Sequence, residues 1–212
     1  MVGSTHIKVC GLTKVEDGLL ALELGADYLG VIRYDGSARM ATEAQARLLS
    51  NSFPVGKRVC VDVAPSIKEL EHHGDLGFDH FQIHFKLDVP LETIAAWSEI
   101  VGKENLWLAP HFPPDQDFPK ALLPYADTFV IDTYKKGQVG GTGETGDWTG
   151  FANLMASYPD TRFILAGGLS PDNIREAVRQ SGARVVDVNS GVEASPGIKD
   201  HDKLRGFFAA LG

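Results

Sequence analysis

Residues 162–191 read RFILAGGLSPDNIREAVRQSGARVVDVNSG, and this stretch decides the fold. Arg162–Leu165 is a short apolar run of strand type that ends at Gly167-Gly168. Ser170-Pro171-Asp172 then supplies a capping side chain followed by a first-turn proline, and a helical stretch, Asn173–Gln180, begins. Gly182 closes it where a left-handed residue is needed, and Val185–Val188 is again apolar and β-branched. Strand, helix and strand at this spacing require parallel strands joined by a helical crossover.

The same unit recurs towards the N-terminus. Strands are expected at His6–Val9, Tyr28–Ile32, Lys57–Val61, Phe78–Ile83, Leu106–Leu108 and Thr128–Ile131, besides the two just named. Helices are expected at Val15–Leu24, Thr42–Ser50, Ile67–His73, Leu91–Val101, Phe118–Leu123, Phe151–Ser157, Asn173–Gln180 and His201–Leu211, with Thr42 as a cap and Gly25 as a stop. Eight such units predict one α/β domain over residues 1–212, a closed (β/α)8 TIM barrel. An open doubly wound sheet is the competing architecture, but no G-x-G-x-x-G follows the first strand.

Composition narrows the function. A chain of 212 residues, 43% hydrophobic and 23% charged, can build its core without disulfide or metal staples. The net charge of −8 argues against nucleic acid as a partner, though a local phosphate site is compatible with it. Cys10 and Cys60 have no zinc-ligand spacing, so no metal is expected. With no signal-peptide pattern at Met1–His6 and no bilayer-length apolar run, the expectation is a cytoplasmic protein with no membrane partner. Oligomeric state is not legible.

In a closed barrel, reactive groups come from the C-terminal strand ends. Alternation places Phe81, Ile83 and Phe85 on one face of the fourth strand, suited to the helix layer, and turns Gln82 and His84 inward. Lys8 and Cys10 share a face, as do Val130 and Asp132, and Asp187 with Asn189. Arg58, Cys60 and Asp62 share one in the third strand and are read with these polar groups. Cys10 reads as a thiolate base beside electropositive Lys8, or as a buried small apolar residue, which position alone favours. Cys60 reads as the latter. Asp132 reads as a general acid whose pKa partial burial would raise, or as a loop cap. His84 reads as an interior hydrogen-bonding histidine, and Asp187 as a ligand contact or a strand tie.

Three glycine segments look built to expose backbone amides to an anion: Gly140-Gly141-Thr142-Gly143, Gly167-Gly168 and Ser190-Gly191. The last two follow the seventh and eighth strands, the usual phosphate site of this barrel.

Taken in order, Lys8-Val9-Cys10-Gly11-Leu12-Thr13, Gly140 to Trp148, Leu165-Ala166-Gly167-Gly168-Leu169, Asp187 to Glu193 and Ser195 to Asp200 resemble the motifs of N-(5′-phosphoribosyl)anthranilate isomerases. The resemblance runs from Ile7 to the final helix. It implies a (β/α)8 barrel that performs an Amadori rearrangement in tryptophan biosynthesis on a small phosphorylated substrate, without cofactor or metal. It also implies Cys10 as general base, Asp132 as general acid and Arg39 as the anthranilate carboxylate contact. Lys8 is expected to lower the thiol pKa of Cys10. Gly141, Gly167, Gly168, Ser190 and Gly191 are expected at the phosphate, with Lys8, Gln82, His84 and Asp187 around the substrate.

The chain departs from the family pattern in places. Tyr34-Asp35-Gly36-Ser37-Ala38-Arg39-Met40 replaces a common Lys-Ser-Pro-Arg, Glu144 a common lysine, Phe85 a glycine and Asp62 an asparagine. Two rival readings stand beside the isomerase. One is another phosphosugar isomerase or epimerase on the same barrel, including the histidine-pathway enzyme, although paired aspartates are usual there. The other is a barrel that binds a phosphorylated ligand without turning it over.

Overall fold

The computed structural model describes residues 5–112, 116–133 and 146–212. Eight parallel strands close into a ring in chain order: β1 (His6–Val9), β2 (Tyr28–Ile32), β3 (Arg58–Val63), β4 (His80–Lys86), β5 (Leu106–His111), β6 (Thr128–Asp132), β7 (Arg162–Ala166) and β8 (Val185–Val188). The helices are α1 (Val15–Leu24), α2 (Glu43–Ser52), α3 (Ile67–Gly74), α4 (Leu91–Val101), α5 (Trp148–Ser157), α6 (Ile174–Ser181) and α7 (His201–Ala209). A small antiparallel hairpin, β9 (Glu193–Ser195) and β10 (Ile198–Lys199), lies between β8 and α7.

Two cores divide the side chains by strand parity. Ile7, Val9, Leu106, Leu108, Phe129, Ile131, Phe163 and Leu165 face outward and pack under the helices. Val59, Val61, Trp107, Ala109, Val130, Ile164 and Val185 fill the barrel with Cys10. At about 25 cal/mol per Å2, burial of these apolar surfaces is the main force closing the ring. Local signals agree with it. Thr42 and Ser66 form capping boxes at α2 and α3, and Gly25 and Gly182 take left-handed conformations after α1 and α6.

Four expectations change. The helix expected at Phe118–Leu123 is a 3-10 turn, Lys120–Leu122, because Pro119 and Pro124 bracket it and leave no room for an α-helical ladder. The expected Ser170 cap gives way to a turn in which Asn173 Oδ1 accepts from the Ser170 amide, and α6 starts at Ile174. Strands β3 to β6 run on to Val63, Lys86, His111 and Asp132, past the polar residues where an apolar pattern stops. In β3 the valines face inward, Cys60 joins the outer core, and Asp62 Oδ2 lies 2.7 Å from His73 Nε2 of α3. A Val-Cys-Val run carries no alternation, so the sequence could not say which face was which.

Candidate active site

Lys8 and Asp187 are register partners on β1 and β8, and their side chains form an ion pair of 2.7 Å with exposures of 0% and 7%. Burial pulls the lysine pKa down, but Asp187 and Cys10 outweigh it and hold the group above its ordinary value. Cys10 is the next inward residue, its amide donating to Val188 O at 2.9 Å. Burial pushes the thiol up and Asp187 adds to the rise; Lys8 and Lys199 pull it back without cancelling it. The expected downward shift is therefore corrected. Lys8 acts in the expected direction, but its charge is shared with Asp187, and removing sulfur from water favours the thiol. Gly30 of β2 makes the room: a Cβ there would stand 2.9 Å from Cys10 Sγ and 3.1 Å from Lys8 Cε.

Asp132 ends β6 on the inward parity of Val130 and pairs with Ala166 of β7. It is exposed, where the sequence reading expected partial burial. His84 sits between the two sides. Its Nε2 lies 2.8 Å from Gln82 Nε2, an arrangement in which the amide donates and the ring accepts. Burial, then Lys8, lower its pKa from 6.5 to about 4, with Asp132 opposing and His111 adding. The imidazole is neutral at pH 7, as its reading as a hydrogen-bonding residue requires. Lys8 of β1, His84 of β4 and Asp132 of β6 all lie on the inward parity of the closed barrel, towards its C-terminal rim.

Arg39 reaches this mouth from the loop after β2. Met40 bridges Ile32 and the Ala41 amide donates to Ile32 O at 2.8 Å, so the loop folds back onto the strand end without the lysine and proline of the family pattern. The guanidinium donates from Nε to Glu193 Oε1 and Oε2 at 2.9 and 3.0 Å, and from Nη2 to Oε2 at 2.6 Å. Lys199 Nζ meets Glu193 Oε1 at 3.1 Å. Glu193, Lys199 and Gly30 stand against Arg39, Cys10 and Lys8 at this mouth, and His111 ends β5; the sequence reading did not single them out. A lone glycine inside a strand marks a close approach, and an arginine held at a buried edge needs a carboxylate; those were the available signals.

The loops after β7 and β8 meet backbone to backbone. Gly167 and Gly168 have φ of 96° and 63°. A Cβ on Gly191 would lie 1.9 Å from Leu169 O, so only glycine fits. Gly168 and Ser190 are exposed beside it. Gly141, with the rest of Gly140–Gly143 and Glu144, lies outside the described residues. Asp62 and Phe85 lie on the outer side: Phe85 stacks edge-on against Trp97 at 5.8 Å.

The other end of the barrel is closed differently. Tyr28, His80 and Trp107 pack ring on ring, and Arg162 Nη2 donates to Tyr28 Oη at 2.9 Å. A cavity of about 990 Å3 opens there, lined by Arg162, Arg184, Met155 and their neighbours. It holds no glycine cradle joined to a thiol and carboxyl, and ligands of this architecture bind at the opposite face. Among the described residues, no cluster of three His, Cys, Asp or Glu is placed to hold a metal. No described helix is long and apolar enough to cross a membrane.

Fold and mouth define a (β/α)8 barrel with titratable side chains and amide-bearing loops gathered at the C-terminal strand ends. The family model for N-(5′-phosphoribosyl)anthranilate isomerase matches residues 7–210. The isomerase of Geobacter sp. strain M21 is 33% identical, over 97% of each chain. The crystal structure of the Thermotoga maritima enzyme superposes with a TM-score of 0.81 at 31% identity, covering 98% of each chain. A phosphoribosyl anthranilate isomerase in complex with reduced 1-(o-carboxyphenylamino)-1-deoxyribulose 5-phosphate gives 0.78 at 30% identity, again over 98% of each. This chain belongs to the N-(5′-phosphoribosyl)anthranilate isomerase family.

Proposed function

We propose that the chain converts N-(5′-phosphoribosyl)anthranilate into 1-(2-carboxyphenylamino)-1-deoxyribulose 5-phosphate, the step of tryptophan biosynthesis for which its family is named. The observation that carries this reading is that Cys10, directly after β1 and two residues from buried Lys8, and Asp132, at the end of β6, both lie on the inward parity of the same C-terminal rim of the closed barrel. A solved relative that binds the reduced product supports the same substrate class.

Asp132, in its protonated form, gives its proton to the ribose ring oxygen. The C1′–O bond breaks and the anthranilate nitrogen lone pair forms a C1′=N iminium. The iminium acidifies the C2′ proton, which Cys10 removes as thiolate, and the C–H electron pair becomes the C1′=C2′ bond of an enolamine. A proton returns to C1′ as the 2′-hydroxyl loses its own, leaving the ketone. Proton transfers alone balance the reaction. Positioned acid–base groups of this kind contribute about 10²–10⁴-fold each.

Lys8 holds a positive charge within reach of the sulfur and favours the thiolate at the moment of transfer. Amides near Gly168 and Gly191 take the phosphate, and Arg39 takes the aromatic carboxylate. Gln82, His84 and Asp187 line the mouth around the sugar.

Freshly generated phosphoribosylanthranilate is fluorescent, and its decay on mixing with the purified protein tests the proposal. Rapid decay with product formation, and growth of a tryptophan auxotroph lacking the isomerase, are expected. Binding without decay would support the non-catalytic reading instead. Turnover of the histidine-pathway substrate alone would favour its isomerase.

A further inference from the structure

The contacts of Arg39 raise a question that the acid–base chemistry does not answer. An arginine meant to receive a substrate carboxylate is already bound to one. The Glu193 side chain, 4% exposed, occupies the Nε–Nη2 side of the guanidinium and leaves the Nη1–Nη2 edge for a second carboxylate.

Paired alone with Glu193, Arg39 would offer a ligand no net charge. Lys199 changes that. Its side chain is fully buried, and its ammonium spends its three N–H bonds on Glu193 Oε1 at 3.1 Å, Asn189 Oδ1 at 3.1 Å and Asn189 O at 3.2 Å. The Gly197 amide also donates to Glu193 Oε1, at 3.1 Å. Burial pushes the Glu193 carboxyl up, but Arg39, Lys199 and the Gly197 amide reverse this and keep it ionised. Burial pulls the Lys199 pKa down and Glu193 opposes this without cancelling it. With the ammonium protonated, two cations and one anion leave a single positive charge beside the open edge of Arg39.

The support is rigid. Glu193 and Lys199 stand on the two strands of the β9–β10 hairpin, which Thr13 Oγ1 ties down by donating to Gly197 O at 2.5 Å. The backbone of Lys199 donates to buried Asp17 at 3.0 Å, and Lys203 Nζ donates to Glu193 O at 2.9 Å. Gly11 gives the arginine its path, since a Cβ there would come within 2.9 Å of Arg39 Cδ. Cys10 is close enough for its charge to act on Arg39.

We infer that Glu193 is a positioning residue that aims Arg39 at an aryl carboxylate, with Lys199 as the counter-charge that keeps the arginine's net charge available. The hairpin after β8 thereby sets selectivity for a ligand carrying that carboxylate. This rests on the reading of Arg39 given above.

Calorimetric titration with two reduced product analogues tests it: one made from anthranilate, the other from aniline and so without the carboxylate. The wild-type protein is expected to bind the anthranilate analogue about 10- to 100-fold more tightly, the usual range for a charge-assisted pair. Glu193→Gln shrinks that ratio to about threefold or less and changes the aniline analogue's Kd by less than about twofold. In turnover its KM rises while kcat stays within about twofold, because the lost interaction is uniform binding. Lys199→Met shrinks the ratio too, by leaving Glu193 to neutralise Arg39. It carries the test should Glu193→Gln melt too low for titration.

Combining Glu193→Gln with Arg39→Met adds nothing further to the loss of selectivity. Removing the Glu193 charge alone would raise the ratio, so a folded Glu193→Gln protein that keeps or exceeds the wild-type ratio overturns the inference. So does a folded Lys199→Met protein that keeps it, or either variant if it weakens both analogues equally. A wild-type protein that fails to distinguish the analogues overturns the reading of Arg39 itself, and the assignment of Glu193 with it.

Discussion

The two ends of this barrel are built from the same eight strands and differ in what their polar groups face. At the N-terminal end, Arg162 spends its charge on the Tyr28 hydroxyl and ring, with its guanidinium carbon 5.4 Å from the ring centroid. His80 and Trp107 stack at 5.0 Å beneath it. At the C-terminal end, the thiol, the carboxyl of Asp132 and the fork of Arg39 surround an opening. There, buried Gln82 Oε1 and Asp187 Oδ1 have no hydrogen-bond partner among the described residues. Leaving buried polar atoms unpaired costs about 1–3 kcal/mol each. Buried His80 Nδ1 at the N-terminal end is unpartnered among the described residues as well. The contrast therefore lies in what surrounds such atoms: stacked rings and an arginine held on a tyrosine at one end, a thiol, a carboxyl and glycine-bearing loops around an opening at the other.

The sharpest way to break that contrast is to mutate each end and compare turnover. Cys10→Ala and Asp132→Ala are expected to lower kcat/KM by about 10²–10⁴ while remaining folded by circular dichroism. Near-normal kcat/KM in either would reject the acid–base pair.

Gly30→Ala is expected to come next. The added methyl must displace Cys10 Sγ or Lys8, and kcat falls about tenfold or more through a misplaced base, with KM changing less. Steady-state kinetics separates the two constants.

His84 sharpens the comparison through stability. Its folded pKa, about 4, lies below the ordinary 6.5, so the unfolded chain binds the proton first as pH falls. The stability it contributes is full above pH 6.5 and lost on descent towards pH 4, by about 3.5 kcal/mol at about 1.4 kcal/mol per unit. Urea unfolding across that window should show a shallower decline in His84→Asn than in the wild type. Parallel curves would mean that the buried neutral ring is not the source.

The smallest effect belongs to the other end. Tyr28→Phe removes the partner of Arg162 and is expected to cost about 1 kcal/mol in stability without altering kcat/KM. A loss of turnover would show that the aromatic end communicates with the mouth.

Much of this arrangement was legible in the chain, and the reasons divide by residue. The fourth strand showed its faces because Phe81, Ile83 and Phe85 alternate with Gln82 and His84, whereas Val59-Cys60-Val61 offered no such contrast. Gly25, Thr42 and Gly182 marked ends of three helices, while two prolines removed the one expected after the fifth strand. Lys8 and Asp187 were both singled out, but their pairing depends on the register of two strands 179 positions apart. The direction of the Cys10 shift was misread for the same reason. A neighbouring lysine is visible in sequence; the carboxylate that shares it and the depth of burial are not. Glu193 and Lys199 stood within a quoted motif, yet their role depends on a hairpin that brings them against a loop from the far end of the chain.

The most direct test is a crystal structure of the protein with the reduced product analogue. The account predicts the ligand at the C-terminal end, its phosphate against Gly168 and Gly191 and its aryl carboxylate on Arg39. Cys10 Sγ should lie about 3–4 Å from C2′, with the Asp132 carboxyl across the sugar from it. A ligand seated with Cys10 and Asp132 unable to reach the same sugar, or lodged in the cavity beside Arg162 and Arg184, would contradict it.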